Sequence, residues 1–177
     1  MGGANLAFKE SLRFGQTGES AIAHWLRKRG HSVMPVYEKI LDTGKGPQLF
    51  LPEGCLIAPD MLAYKGSKVM WIEAKHKSAF TWHRNTNKWV TGIDTLHYED
   101  YCKVGEQSPW AVWLLFVQRG GQAVDSPPDS PAGLYGNSLG YLCKHINHTW
   151  NSPPMVYWNI GDLKYLAPLE EIENGNL

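Results

Sequence analysis

Apolar positions along the chain change period several times, and each change marks an element. Between Thr17 and Gly30, Ala21, Ile22, Trp25 and Leu26 recur at helical spacing, which predicts an amphipathic helix. Thr17 suits its N-cap and Gly18-Glu19 opens its first turn. Arg27-Lys28-Arg29 sets cations in the last turn, and Gly30 stops the helix. A shorter helix is predicted from Asn5 to Phe14, and His31 to Tyr37 reads as a short strand whose Pro35 favours an edge. Residues 42–54 (DTGKGPQLFLPEG) are punctuated by Gly and Pro and predict a loop.

Two short strands around a turn follow, Ile57 to Tyr64 and Lys68 to Lys75. The polar, aromatic stretch SAFTWHRNTNKWVTG then predicts a loop, and Ile93 to Val104 a helix with the stripe Ile93, Leu96, His97, Tyr101 and Val104. Trp110 to Val117 (WAVWLLFV) has the composition of a buried strand. Residues 119–140 are rich in Gly, Pro and Ser and predict a long loop, either surface or flap. Met155 to Ile160 predicts a last strand, and Asp162 to Ile172 a helix interrupted near Pro168. No repeat or boundary divides the chain, so one domain is expected over residues 1–177, with its core at about 15–118 and a C-terminal extension at 141–177. This order of elements predicts an α/β fold, a mixed central β-sheet flanked by helices.

Composition narrows the function classes. Hydrophobic residues make up 43% of the 177 and charged residues 19%, which excludes a disordered chain or a coiled coil. No stretch is long and apolar enough to predict a membrane span, and the N-terminus lacks the apolar core of a signal peptide. A cytoplasmic protein of a prokaryote, or of a phage in its host, is the expectation. Cys55, Cys102 and Cys143 read as reduced thiols without a disulfide framework. A zinc site at Cys143, His145 and His148 lacks a convincing fourth ligand. The net charge of zero hides a split: residues 1–90 hold 13 Lys and Arg against 7 Asp and Glu, residues 91–177 hold 4 against 10. A basic half is compatible with a phosphate-binding face.

The candidate chemistry lies in that half. Lys65-Gly66-Ser67-Lys68 has the form of a two-residue hairpin turn. Such a turn sets Asp60 opposite Glu73, with Cβ atoms roughly 4.5–5.5 Å apart on one face. Lys75, two residues on, points to that face as well. Opposed carboxylates repel unless a divalent cation joins them, and Mg²⁺ takes one or two carboxylates, waters and substrate phosphate. The ammonium of Lys75 can hold or activate a water and offset charge on a phosphorane-like transition state. These are the parts of metal-assisted phosphodiester hydrolysis.

Pro59-Asp60 followed by Glu73-Ala74-Lys75 at the end of an apolar strand resembles the signature of the PD-(D/E)XK nuclease superfamily. The stretch GESAIAHWLRKRGHSVMPV is similar to the N-terminal part of archaeal-type Holliday junction resolvases, and the two likenesses together span about residues 15–78. The longer stretch from Tyr37 to Asp60 and the C-terminal half depart from that pattern. The resemblance implies a restriction-endonuclease-like core and a metal site made by Asp60, Glu73, the backbone carbonyl of Ala74 and the helix carboxylate Glu19, with Lys75 as the catalytic cation. It further implies Mg²⁺, with Mn²⁺ as a substitute, DNA as substrate, branched DNA above all, and a homodimer to make two symmetric cuts. A restriction- or repair-type nuclease on duplex or single strands is the alternative within the enzymes. A catalytically inactive DNA-binding protein of the same fold is the alternative outside them.

Two further groups are candidates. His97 and Tyr101, one turn apart, are accessory candidates to touch water or phosphate. Lys77, Arg84 and Lys88 with Trp82 mix cations and an aromatic ring just past the site, a pattern suited to gripping a DNA backbone and stacking on bases.

Overall fold

The computed structural model describes residues 18–36 and 47–173. The expected helix Asn5–Phe14, the Thr17 cap, and the chain between Tyr37 and Gly46 lie outside the described residues. Helix α1 covers residues 18–28 and buries the stripe Ala21, Ile22, Trp25 and Leu26. Gly30, at φ 80°, ends the helix where a Cβ would be strained. Arg29 lies 4.1 Å from the centre of the Trp25 ring and ion-pairs with Glu171 at 2.7 Å, tying α1 to the C-terminal end of the chain.

A six-stranded mixed sheet forms the centre, in the order β1-β4-β5-β8-β9-β12. Its strands are β1 (Ser32–Pro35), β4 (Met61–Lys65), β5 (Lys68–Lys77), β8 (Ala111–Arg119), β9 (Ala132–Ser138) and β12 (Lys164–Ala167). Only β5 and β8 run parallel; the other neighbours are antiparallel. Successive side chains alternate across such a sheet, and here the alternation feeds two cores. Ile72, Ala74, Leu115 and Val117 pack under α1 and α4 (Leu169–Glu173). Trp71, Leu114 and Phe116 pack on the other face against α2 (Thr95–Gln107). Also on that face lies a four-stranded sheet, β10 (His148–Asn151), β11 (Pro154–Asn159), β7 (Lys88–Asp94) and β6 (Thr81–His83), which contributes Ile93, Val156 and Trp158 to the core. Short α3 (Leu139–Leu142) follows β9. Among the described residues, no helix is long and apolar enough to cross a membrane.

Several segments differ from the sequence expectation. The Gly/Pro-punctuated stretch expected as a loop contains the hairpin of β2 (Gln48–Leu51) and β3 (Gly54–Ile57). The polar stretch 78–92 is largely the hairpin β6–β7, in which cross-strand pairing outweighs the hydrophilic composition. The largest correction concerns residues 119–140, expected as one long loop: only residues 120–131 connect, while Ala132–Ser138 is a buried strand of the main sheet. Its glycines mislead because they are packing devices. A Cβ on Gly136 would sit 2.5 Å from the Leu114 carbonyl oxygen, so only glycine lets β8 come that close. The core therefore extends beyond residue 118. Lys164–Ala167 is likewise a strand, paired to β9, and helix begins only after Pro168.

Candidate active site

The site gathers where β4 leaves the sheet. The β4–β5 ladder runs from Lys65↔Lys68 to Met61↔Ile72, in the register that the Gly66-Ser67 turn predicts, with Gly66 at φ 61°, but it stops one pair short of the expected opposition of Asp60 and Glu73. Beyond Met61 the chain bends away, and the Asp60 carbonyl accepts from Val36 N at 2.8 Å. The carboxylate of Asp60 takes the place of the missing strand: Oδ2 accepts from Ala74 N at 2.8 Å. In a strand, a residue's carbonyl leaves on the same edge as its N–H. The Ala74 carbonyl therefore faces the gap that β4 has vacated.

Glu73 is 1% exposed and ion-pairs through Oε1 with the Lys75 ammonium. The Lys75 ion pair and the contact of the Tyr101 hydroxyl are what meet the buried Glu73 side chain. Helix α2 covers this face. Buried Tyr101 has its hydroxyl pKa raised by burial, then by the charges of Glu73 and Asp60 and by contact of the hydroxyl with Glu73. The His97 ring lies 5.9 Å from the Tyr101 ring, centre to centre. Burial, and then the Lys75 charge, lower the His97 pKa and favour a neutral imidazole. Both accessory candidates thus belong to the electrostatic surroundings of Glu73 and Lys75.

Glu19 arrives from the first turn of α1. A Cβ on Gly18 would lie 2.6 Å from the His76 Cβ, so glycine is what lets the start of α1 press on β5. Glu19 has its pKa raised by burial and by Glu73, against the pull of Lys75. Gly18→Ala is expected to push α1 off β5, costing about 1–3 kcal/mol of stability and lowering any activity that needs Glu19. Chemical denaturation of the variant beside wild type checks this.

Crowded carboxylates set the proton balance. Asp60 is pushed up to about 8, first by burial and then by Glu73 and Glu19, with Lys75 and the Ala74 N–H opposing. Burial on its own would lower the Lys75 pKa, but Glu73, Asp60 and Glu19 outweigh it and raise the net value. Lys75 therefore keeps its proton and acts as a fixed ammonium, a donor and a positive charge. Lys77 is lowered to about 8 by burial and by the Lys75 charge. Between them on β5, His76 Nε2 accepts from Arg119 Nε at 2.7 Å.

Not every expected contact is present. Among the described residues, no three His, Cys, Asp or Glu side chains converge as a metal-ligand set. This holds for Cys143, His145 and His148 and also for Glu19, Asp60 and Glu73. The reason is local: Asp60 is turned to the Ala74 amide and Glu73 to Lys75. Arg84, Lys88 and Trp82 lie on the β6–β7 hairpin. There Arg84 pairs with Asp125 at 2.6 Å, and the Trp82 ring meets Trp89 edge-on at 5.1 Å. Sequence reasoning missed Asp100, a buried acid on α2 whose Oδ2 accepts from Ile57 N at 2.9 Å and so anchors the bend carrying Asp60. Its signal was an acidic residue one helical turn from His97 on the covered face of α2.

Among solved structures, the chain is similar to that of Hjc, a Holliday junction resolvase from the archaeal hyperthermophile Archaeoglobus fulgidus. The likeness covers 92% of this chain and 100% of that one, with a TM-score of 0.53 and 12% identity. At that identity the likeness establishes a shared fold, a mixed α/β core with a central mixed sheet flanked by helices. No protein-family model and no curated protein matches the sequence.

Proposed function

We propose that the chain is a divalent-metal-dependent endodeoxyribonuclease of the PD-(D/E)XK type, acting on branched DNA as a resolvase-like homodimer. The observation that carries this reading is the gap at the end of β4. Within a few residues it offers a carboxylate on the Ala74 amide, an outward Ala74 carbonyl, a buried glutamate and a fixed ammonium. The fold shared with a Holliday junction resolvase supports the choice of branched DNA over plain duplex.

The donor set is all oxygen, which suits a hard ion such as Mg²⁺ or Mn²⁺. Burial, and then the neighbouring Glu73 and Glu19, push Asp60 up to about 8, and a cation relieves such a site. Asp60, Glu73 and the Ala74 carbonyl would hold the ion, with Glu19 alongside. When bound, it supplies Lewis-acid charge to the phosphodiester oxygens. Lys75 orients the attacking water by donating to it, and its charge faces the negative charge that builds on phosphorus. Tyr101 keeps bulk water from the inner side of Glu73. Lys77 and the cations of the β6–β7 hairpin, Arg84 and Lys88, grip the backbone, and Trp82 offers a stacking surface.

The test compares four-way junction, nicked, flap and duplex DNA with Mg²⁺ at one ionic strength, because salt alone shifts affinity strongly. Paired symmetric cuts in the junction are expected. Equal binding and cutting of duplex would favour a restriction- or repair-type enzyme, and no cutting of any substrate would favour a DNA-binding protein without catalysis. Proton competition adds a second measurement. Below about 8 a proton occupies Asp60 and opposes the metal, so ion affinity should rise with pH and level off above that value. Titrating the Mn²⁺-induced thermal shift from pH 6 to 9 reads this directly; a flat profile would remove Asp60 from the ligand set.

A further inference from the structure

Away from the carboxylates, Cys102 on α2 and Cys143 at the end of α3 bring their Sγ atoms to 3.5 Å across a separation of 41 residues. We propose that this pair is a redox modification site, closed by peroxide into a reversible intramolecular disulfide that staples α2 to α3. Both cysteines are free thiols, Cys143 exposed and Cys102 partly so. A disulfide holds its sulfurs about 2.05 Å apart, so closure needs an approach of about 1.5 Å, the scale of a side-chain rotation. The pair also has an entrance. A cleft of ≈ 560 Å³ is lined by Tyr98, Cys102, Glu106, Val112, Ser138 and Cys143, wide enough for a peroxide and for a reducing thiol. Cys55, on β3, is exposed and does not line that cleft.

The roles of the two thiols differ. Burial, and then contact with Cys143, push the Cys102 thiol up to about 12. Cys143, the more exposed of the two, is the attacking group, and the half-buried Cys102 the resolving one. The Cys143 thiolate attacks one peroxide oxygen, the O–O bond breaks, and the second oxygen leaves as hydroxide and becomes water by taking a proton. Cys102 then attacks the sulfenic sulfur of Cys143, the S–O bond breaks, and a second water departs. The two thiols lose two electrons and two protons, and hydrogen peroxide is reduced to two waters. Cys102 directly follows Tyr101, which faces Glu73, so the bond would restrain the helix that walls the candidate active site. The cross-link itself does not depend on what that site does.

The test uses the full chain, reduced and then treated with hydrogen peroxide. After blocking with N-ethylmaleimide, peptide mapping reads each thiol. The expected product is a Cys102–Cys143 cross-linked peptide, with Cys55 alkylated and the protein two hydrogens lighter before blocking. Dithiothreitol should reverse it. Cys143→Ser and Cys102→Ser should each abolish the cross-link, and Cys55→Ser should leave it intact. Alkylation of all three cysteines after oxidation would overturn the proposal, as would sulfinic acid at Cys143 beside an alkylated Cys102. Mapping of the wild-type protein decides the matter even where a serine variant folds poorly.

Discussion

Lys75→Met should lower DNA cleavage by about 10²–10³-fold while leaving metal binding intact or tighter. The ammonium is at once the counter-ion of Glu73 and the fixed positive charge at the open edge of β5. Removing it takes away a donor that matters most as negative charge builds in the transition state, so the rate at saturating metal and DNA should fall most. Removing it also frees Glu73 from a cation that competes with the ion. Without metal, the variant leaves a carboxylate buried and unpaired, at a cost of about 3–5 kcal/mol. Added Mn²⁺ should therefore raise its melting temperature more than it raises that of wild type. Single-turnover cleavage and thermal shift with and without Mn²⁺ separate the two effects. Wild-type cleavage by the variant would remove Lys75 from the chemistry.

Asp60→Asn should pair a functional loss with a gain in stability. An amide oxygen can still accept from the Ala74 N–H, so the bend is kept, but the ligand charge is lost. Cleavage is expected to fall at least about a hundredfold. The stability change follows from proton linkage. Folding raises the Asp60 pKa from 3.8 to about 8, so the folded metal-free protein holds a proton that the unfolded chain releases. The stabilising contribution of that proton is complete below 3.8 and is lost as pH rises to about 8. A neutral amide at this position escapes the loss. The variant should match wild type near pH 4 and exceed it at pH 8 by about 1–3 kcal/mol, a figure discounted for the partial exposure of the group. Saturating Mg²⁺ should close the gap by stabilising wild type alone. Urea melts at the two pH values check the sign, and equal stability at pH 8 would contradict the upward shift that burial and the neighbouring carboxylates give Asp60.

The site was legible where it depends on local register. A two-residue turn at Gly66-Ser67 fixes which residues of β4 and β5 oppose, and alternation then decides their faces. The stripe of α1 was equally plain, because four apolar residues at helical spacing leave few alternatives. What stayed hidden depends on contacts far along the chain. Gly133 and Gly136 suggest a loop until β8 and β12 come close enough to exclude a side chain. Trp82 and Trp89 suggest an exposed loop until the β6–β7 hairpin that pairs them gains β11 as its neighbour. Asp100 is an ordinary helix acid until the Ile57 amide needs an acceptor. Whether Glu19, Asp60 and Glu73 can meet on one ion depends on side-chain rotation, which strand register does not set.

The second sheet threads the two halves of the chain together. Strands β6 and β7 fall between β5 and β8 in sequence, yet β7 completes its ladder only with β11, Ile93 opposite Val156 and Thr91 opposite Trp158. Trp158 in turn lies beside Tyr98 on α2, ring centres 6.0 Å apart. A chain ending at Leu142 would strip β7 of that neighbour and unroof the helix that backs Glu73. The C-terminal segment thus works as a keystone: it carries none of the residues proposed for DNA cleavage, but the span that holds them in place leans on it.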